Sequence, residues 1–250
     1  MRKLLVVMLL ILSASGIAQA VKSGEKFIYT ASYSMGGLMT PLSQIRMQTE
    51  TVKTSKSAFL HLICHATTFS KWDPFFKMRD TYESYVNPVT FKSSLYKRNI
   101  LEGKFTKTEK YIFKNNGTIV STVQKKNESE TKNNFKVGSA TNDVVSVLYQ
   151  MRNINFANMK VGQIQSFNVV FDEKEMTVSA KYMGKETVKA GNLGKKLCYK
   201  ISIASKTQAL KGTDKNIIWL TADARKVPAL IKFSIPVGSG QLSLTNASGI

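Results

Sequence analysis

Thr141 to Ile154 reads T-N-D-V-V-S-V-L-Y-Q-M-R-N-I, the one segment after residue 20 with convincing helical periodicity. Val144, Val147, Leu148 and Met151 recur at i, i+3, i+4 and i+7 and so form a single apolar stripe. Thr141 or Asn142 can cap the helix, and Asp143 places a negative charge in its positive first turn. Strand-like sequence lies on both sides, which makes this a β protein organised around one helix.

Working outward, Phe27, Tyr29, Ala31 and Tyr33 alternate with mostly polar neighbours, the period of a half-buried strand. Similar runs follow at 40–53, 57–68, 79–86, 90–100, 104–114 and 118–125, with Gly36-Gly37 and Asn116-Gly117 as turns. Lys126 to Asn134 is polar and reads as an exposed loop. Beyond Gly162 strands are expected at 164–171, 176–183, 186–190, 196–205, 217–221, 227–235 and 241–244, with Gly184-Lys185 as a turn. The fold class expected is mainly β: a large curved antiparallel sheet or partly closed β-barrel, with one principal α-helix (141–154) packed against or plugging it. Nothing resembles a linker or repeat, so residues 21–250 are expected to form a single β-rich domain.

The first 20 residues have the pattern of a secretory signal peptide: Arg2 and Lys3, then apolar Leu4 to Leu12, then Ala18-Gln19-Ala20 at the cleavage point. Nine apolar residues are too few to span a bilayer. No cysteine follows the cleavage point, so a lipid anchor is not expected there, and the protein should be periplasmic. The formal net charge is +20, with lysines scattered as on solvated strand faces rather than gathered in a nucleic-acid groove. The partners this suits are anionic head groups or acidic glycan, not nucleic acid. An outer-membrane barrel needs an apolar lipid-facing side on each strand, and runs 90–100 and 104–114 carry charges too frequently.

Chemistry is sparse. His61 and His65 on a strand lie about 13 Å apart, too far to share an ion, so no metal site is expected. There is no G-x-S-x-G elbow, P-loop or dinucleotide fingerprint, and no cofactor is expected. An oxidising compartment permits a Cys64–Cys198 bond, but both cysteines sit in apolar strand-like runs that favour free buried thiols. A non-enzymatic protein is expected, with an envelope hydrolase whose carboxylates meet only in space as the minor alternative.

At the helix the chain resembles the domain-of-unknown-function 3108 family of exported bacterial proteins. Asp143, Ser146, Tyr149 and Arg152 reproduce its D-x-x-S-x-x-Y-x-x-R pattern. Trp219, Asp223 and Pro228 resemble its W-x-S-x-D-x-x-x-x-P segment, with Thr221 in place of serine, and Gly24-Glu25-x-Phe27-x-Tyr29 also fits. A spacing of three walks slowly around a helix, so this motif brackets the apolar stripe and should be contacted on both sides. Asp143, Ser146, Asp223 and Arg225 are expected to form a structural polar network, with Asp223 and Arg225 as partners for the helix ends. Tyr149, Arg152, Trp219 and Trp72 are the expected ligand-binding residues. The leading expectation is a periplasmic protein that binds a lipid or other amphipathic molecule on the concave face of its sheet. The alternative is an interaction module that docks envelope proteins or anionic glycan through its basic exterior.

Overall fold

The computed structural model describes residues 20–35, 37–205, 216–235 and 238–250. Apart from Ala20, the expected leader lies outside these residues, as does Gly36 of the expected first turn. Among the described residues, fifteen strands form one curved sheet that does not close. One half is a meander of β1 (Lys26–Met35), β2 (Leu38–Lys53), β3 (Ala58–Thr68), β4 (Arg79–Val86), β5 (Ser93–Glu102), β6 (Phe105–Phe113), β7 (Thr118–Lys125) and β8 (Thr131–Lys136). The other half runs through the two-residue β9 (Asn142–Asp143), β10 (Ile164–Phe171), β11 (Lys174–Lys189), β12 (Lys195–Ser205), β13 (Ile217–Thr221), β14 (Pro228–Ile235) and β15 (Gly238–Ser248). The halves join where β1 pairs with β15, and all pairings are antiparallel except the short parallel bridge of β9 to β10. This leaves β8 at one end of the sheet and β9–β10 at the other.

The single helix α1 (Val144–Gln150) lies in the concavity and touches β3, β4 and β10. It is shorter than the expected 141–154 because Asn142 and Asp143 are extended in β9, and Asp143 itself is the N-cap. Its C-terminal end tightens into a 3-10 turn over Met151–Asn153. Val145 and Tyr149 pack into one apolar cluster with Phe27, Tyr29, Leu62 and Tyr96. Val147 and Met151 pack into a second with Phe156, Tyr182, Tyr199 and Ile201. The helix is therefore apolar on both sides and fills the sheet rather than lining a void.

Two further expectations are corrected. Part of the expected 126–134 loop is the edge strand β8, whose exposed, lysine-bearing sequence T-K-N-N-F-K suits a sheet edge that must not recruit another strand. Runs 176–183 and 186–190 are one long strand, β11, because Gly184 at φ +101° forms an irregularity in the β11–β12 ladder instead of a turn. The β10–β11 connection is a two-residue tip in which Asp172 and Glu173 both have positive φ, +47° and +58°.

That tip bridges the two ends of the sheet. Asp172 accepts from Arg98 Nη2 at 2.6 Å and from Lys107 Nζ at 2.7 Å. The Glu173 N–H donates to Tyr111 Oη at 2.8 Å, and its carboxylate accepts from Ser121 and Asn133. Beneath the tip, buried Glu109 lies 3.1 Å from both Arg98 Nε and Lys107 Nζ and accepts from Tyr111 Oη at 2.7 Å. Glu109→Ala leaves buried Arg98 short of a counter-charge and is expected to lower unfolding free energy by about 3–5 kcal/mol in a urea titration. Asp172→Ala, at a half-exposed position, is expected to cost about 1 kcal/mol in the same measurement.

Candidate functional site

The helix motif is a pair of structural clamps. At the N-terminal end, Asp143 Oδ1 accepts from the backbone N–H of Val145 and of Ser146, both at 2.9 Å. Its Oδ2 accepts from Ser84 Oγ on β4 and Ser93 Oγ on β5, both at 2.6 Å. Ser146 Oγ lies 2.9 Å from Ser93 Oγ, completing a buried knot between helix and sheet. Burial raises the Asp143 carboxyl above its ordinary range, and the hydrogen bonds from Ser84 and Ser93 pull it back.

At the other end Arg152, 1% exposed, makes a two-pronged pair with fully buried Glu25, at 2.7 and 3.0 Å. It also donates to the carbonyls of Ala20 at 2.8 Å and Arg225 at 2.9 Å, and its guanidinium lies over the rings of Phe27 and Tyr149. The partners expected for the two helix ends, Asp223 and Arg225, are corrected: Asp143 is held by serines, Glu25 carries the counter-charge of Arg152, and Arg225 contributes its carbonyl. Asp223 instead organises its own turn, accepting from Thr221 Oγ1 and from the Arg225 and Lys226 N–H groups.

Of the four expected ligand-binding residues, Tyr149 and Arg152 belong to this packed interior. Trp219 is buried beneath Lys200 and Lys232, and its indole N–H donates to Glu186 at 3.2 Å. Trp72 lies at the far rim, with its indole N–H bonded to Pro41 O at 2.8 Å. The four do not converge on one site.

Among the described residues, an open groove of about 940 Å³ lies where the chain leaves α1. One wall is apolar, from Val89, Phe91, Ile154, Met159 and Phe167. The other surface is a set of carboxamides, among them Gln150, Asn153, Asn158, Gln163 and Gln165. Gln150 Nε2 is anchored on Phe91 O at 3.0 Å, and Gln163 Oε1 accepts from the Lys160 N–H at 3.1 Å. Lys226 is the charged residue of the lining, in a chain of net charge +20. β10 borders the groove, and its pairing on that side is confined to Val169 and Val170. The groove thus lies between this unpaired stretch of β10 and the β4–β5 connection. Sequence reasoning passed over it, although Asn153, Asn155, Asn158, Gln163 and Gln165 fall within thirteen residues that carry a single charge, Lys160.

The reactive groups lie outside the groove. Burial pushes the Cys64 thiol up to about 12 and Cys198 to about 11, and both are free. Both ring nitrogens of His61 are taken by carboxylates, Glu50 and Glu83 at 2.9 Å each, and the ring stacks on Tyr85. Asp80, on the inner face of β4, is raised by burial to about 6, and its Oδ1 accepts from the Leu101 N–H.

Residues 28–245 match the family model described as "Protein of unknown function (DUF3108)". The chain belongs to that family. Asp143, Ser146 and Arg152 of its D-x-x-S-x-x-Y-x-x-R pattern are, in this member, the clamps that seat the helix, and Tyr149 packs in the apolar cluster. Among solved structures, the chain is similar to a beta-barrel-like protein of domain of unknown function DUF1849 from Brucella abortus. That similarity has a TM-score of 0.58 at 9% identity and covers 90% of this chain and 97% of the other, a likeness of fold. No curated protein matches.

Two outcomes follow for this member of the family. Arg152→Ala is expected to cost about 3–5 kcal/mol by leaving the Glu25 carboxylate buried and unpaired. Arg152→Met combined with Glu25→Gln should cost well under the sum of the two single changes in the same denaturation assay. For Asp80, the folded state holds its proton up to about pH 6 whereas the ordinary value is 3.8, so stability declines as pH rises between them and then levels. Asp80→Asn, which can still accept from Leu101, is expected to flatten that slope and add about 2–3 kcal/mol at pH 7.5, with little change below pH 4.

Proposed function

We propose that this protein is an exported, non-enzymatic binding protein of the bacterial envelope, and that its amphipathic ligand lies in the groove beside β10. The groove's divided lining is the observation that carries this reading. Val89, Phe91, Ile154 and Phe167 suit an apolar chain, while neutral carboxamides suit an uncharged head rich in hydroxyl or amide groups. A carboxamide presents both donors and an acceptor, so it can match such a head without selecting for charge. The anchored positions of Gln150 and Gln163 reduce the entropy lost on binding.

This places the ligand at the end of the concavity instead of on its helix-filled face. The non-enzymatic reading is supported by the raised thiols and the fully engaged His61 ring. Export is supported by the leader pattern alone. Ala20 lines the groove, so cleavage after it would remove one lining residue and an acceptor of Arg152.

Monomeric dodecyl maltoside, an acyl-like chain on an uncharged sugar, is a suitable probe by calorimetry or native mass spectrometry. Saturable one-to-one binding is expected. Val89→Asp and Gln165→Ala, both at exposed lining positions, should each weaken it about tenfold with unchanged melting temperature. Binding that both variants retain in full would remove the groove from consideration.

A further inference from the structure

The opposite rim of the sheet carries a second surface with different chemistry. The start of β2 and the β3–β4 and β5–β6 connections meet there, and hydrogen bonds join them into one platform. Phe69 N–H donates to Leu42 O at 3.0 Å, and Trp72 Nε1 to Pro41 O at 2.8 Å. Gly103 N–H donates to Lys77 O at 2.7 Å, beside a bridge between Met78 and Glu102.

On this fixed platform large apolar side chains stand in solvent: Phe75 is 82% exposed, Leu38 77% and Phe76 50%, with Phe105 and Met39 also exposed. Lys71, Lys77 and Lys104 are exposed among them, and Lys71 Nζ lies 5.5 Å from the centre of the Trp72 ring. The acidic Asp73 is taken up by Arg79 and Thr68.

We infer that this rim docks on the surface of a lipid bilayer containing anionic head groups. Isolated exposed apolar residues are ordinary, but here phenylalanines, Leu38 and Met39 share one rim with three exposed lysines. Phenylalanine and leucine side chains enter the boundary between head groups and acyl chains, while lysine stems reach back to phosphate oxygens. The charge matches as well, since an anionic surface attracts a chain of net charge +20 and favours the approach of its lysine-ringed face. The inference does not depend on the groove, which lies at the other end of the strands.

Co-sedimentation of the purified protein with vesicles tests it, comparing phosphatidylglycerol mixed with phosphatidylethanolamine against phosphatidylcholine alone. Sedimentation with the anionic vesicles is expected, falling at least tenfold in a Phe75→Ser/Phe76→Ser double variant of unchanged melting temperature. Lys71→Gln/Lys77→Gln should lower it several-fold, and the loss should be specific to the anionic vesicles. Val89→Asp, in the groove, should leave vesicle binding intact, so failure of the rim and failure of the groove are separable. Absence of binding to anionic vesicles overturns the inference. So does binding equal in the double-phenylalanine variant and the unaltered protein, which would indicate diffuse attraction to scattered lysines.

Discussion

The fold depends on closing a sheet whose two ends do not pair. An antiparallel meander becomes a stable barrel when its last strand hydrogen-bonds to its first, which abolishes the edges. Here β8 and β10 stay apart, and the gap between them is bridged by side chains and one helix. Asp143 is the central fastening. A single carboxylate caps α1 with one oxygen and ties it to β4 and β5 with the other, while β9 holds the same residue against β10. The β10–β11 tip repeats this logic with Asp172 among Arg98 and Lys107. Buried charges are a poor source of net stability, because desolvation offsets most of the attraction. They are directional, however, and an apolar seam would allow the two ends to slide where this one fixes their register.

The helix and most strands were legible because periods of 3.6 and 2 follow directly from which face of an element is buried. The failures occurred where that link weakens. β8 has little apolar alternation since an edge strand covers little core, and its polar sequence looks like a loop. Gly184 has the chemistry of a turn, and only the long β12 partner shows that the strand continues past it. Glu25, the counter-charge of Arg152, lies 127 residues away in the chain, and no local spacing reports such a pairing. The helix motif was legible as a set of demanding positions and less so in purpose. Residues this specific are needed equally by a ligand and by a clamp, and burial alone separates the two.

The groove was missed for a related reason. Attention goes to aromatic and charged residues, whereas its distinctive lining is a local excess of carboxamides in a lysine-rich chain. Their meaning comes from position. The segment after α1 runs along an open groove, so its exposed polar side chains stand opposite an apolar wall.

Clamping the helix at both ends also separates the two surfaces. Between the groove at one end and the aromatic rim at the other, the interior is filled by α1 and by apolar side chains from the strands that surround it. Tight interiors transmit little unless an element has two discrete arrangements. With Asp143 and Arg152 each held by several partners, α1 has no evident second seat. On the proposed readings the molecule is then a rigid body, with the rim that would meet a surface and the groove that would hold a ligand at a fixed separation.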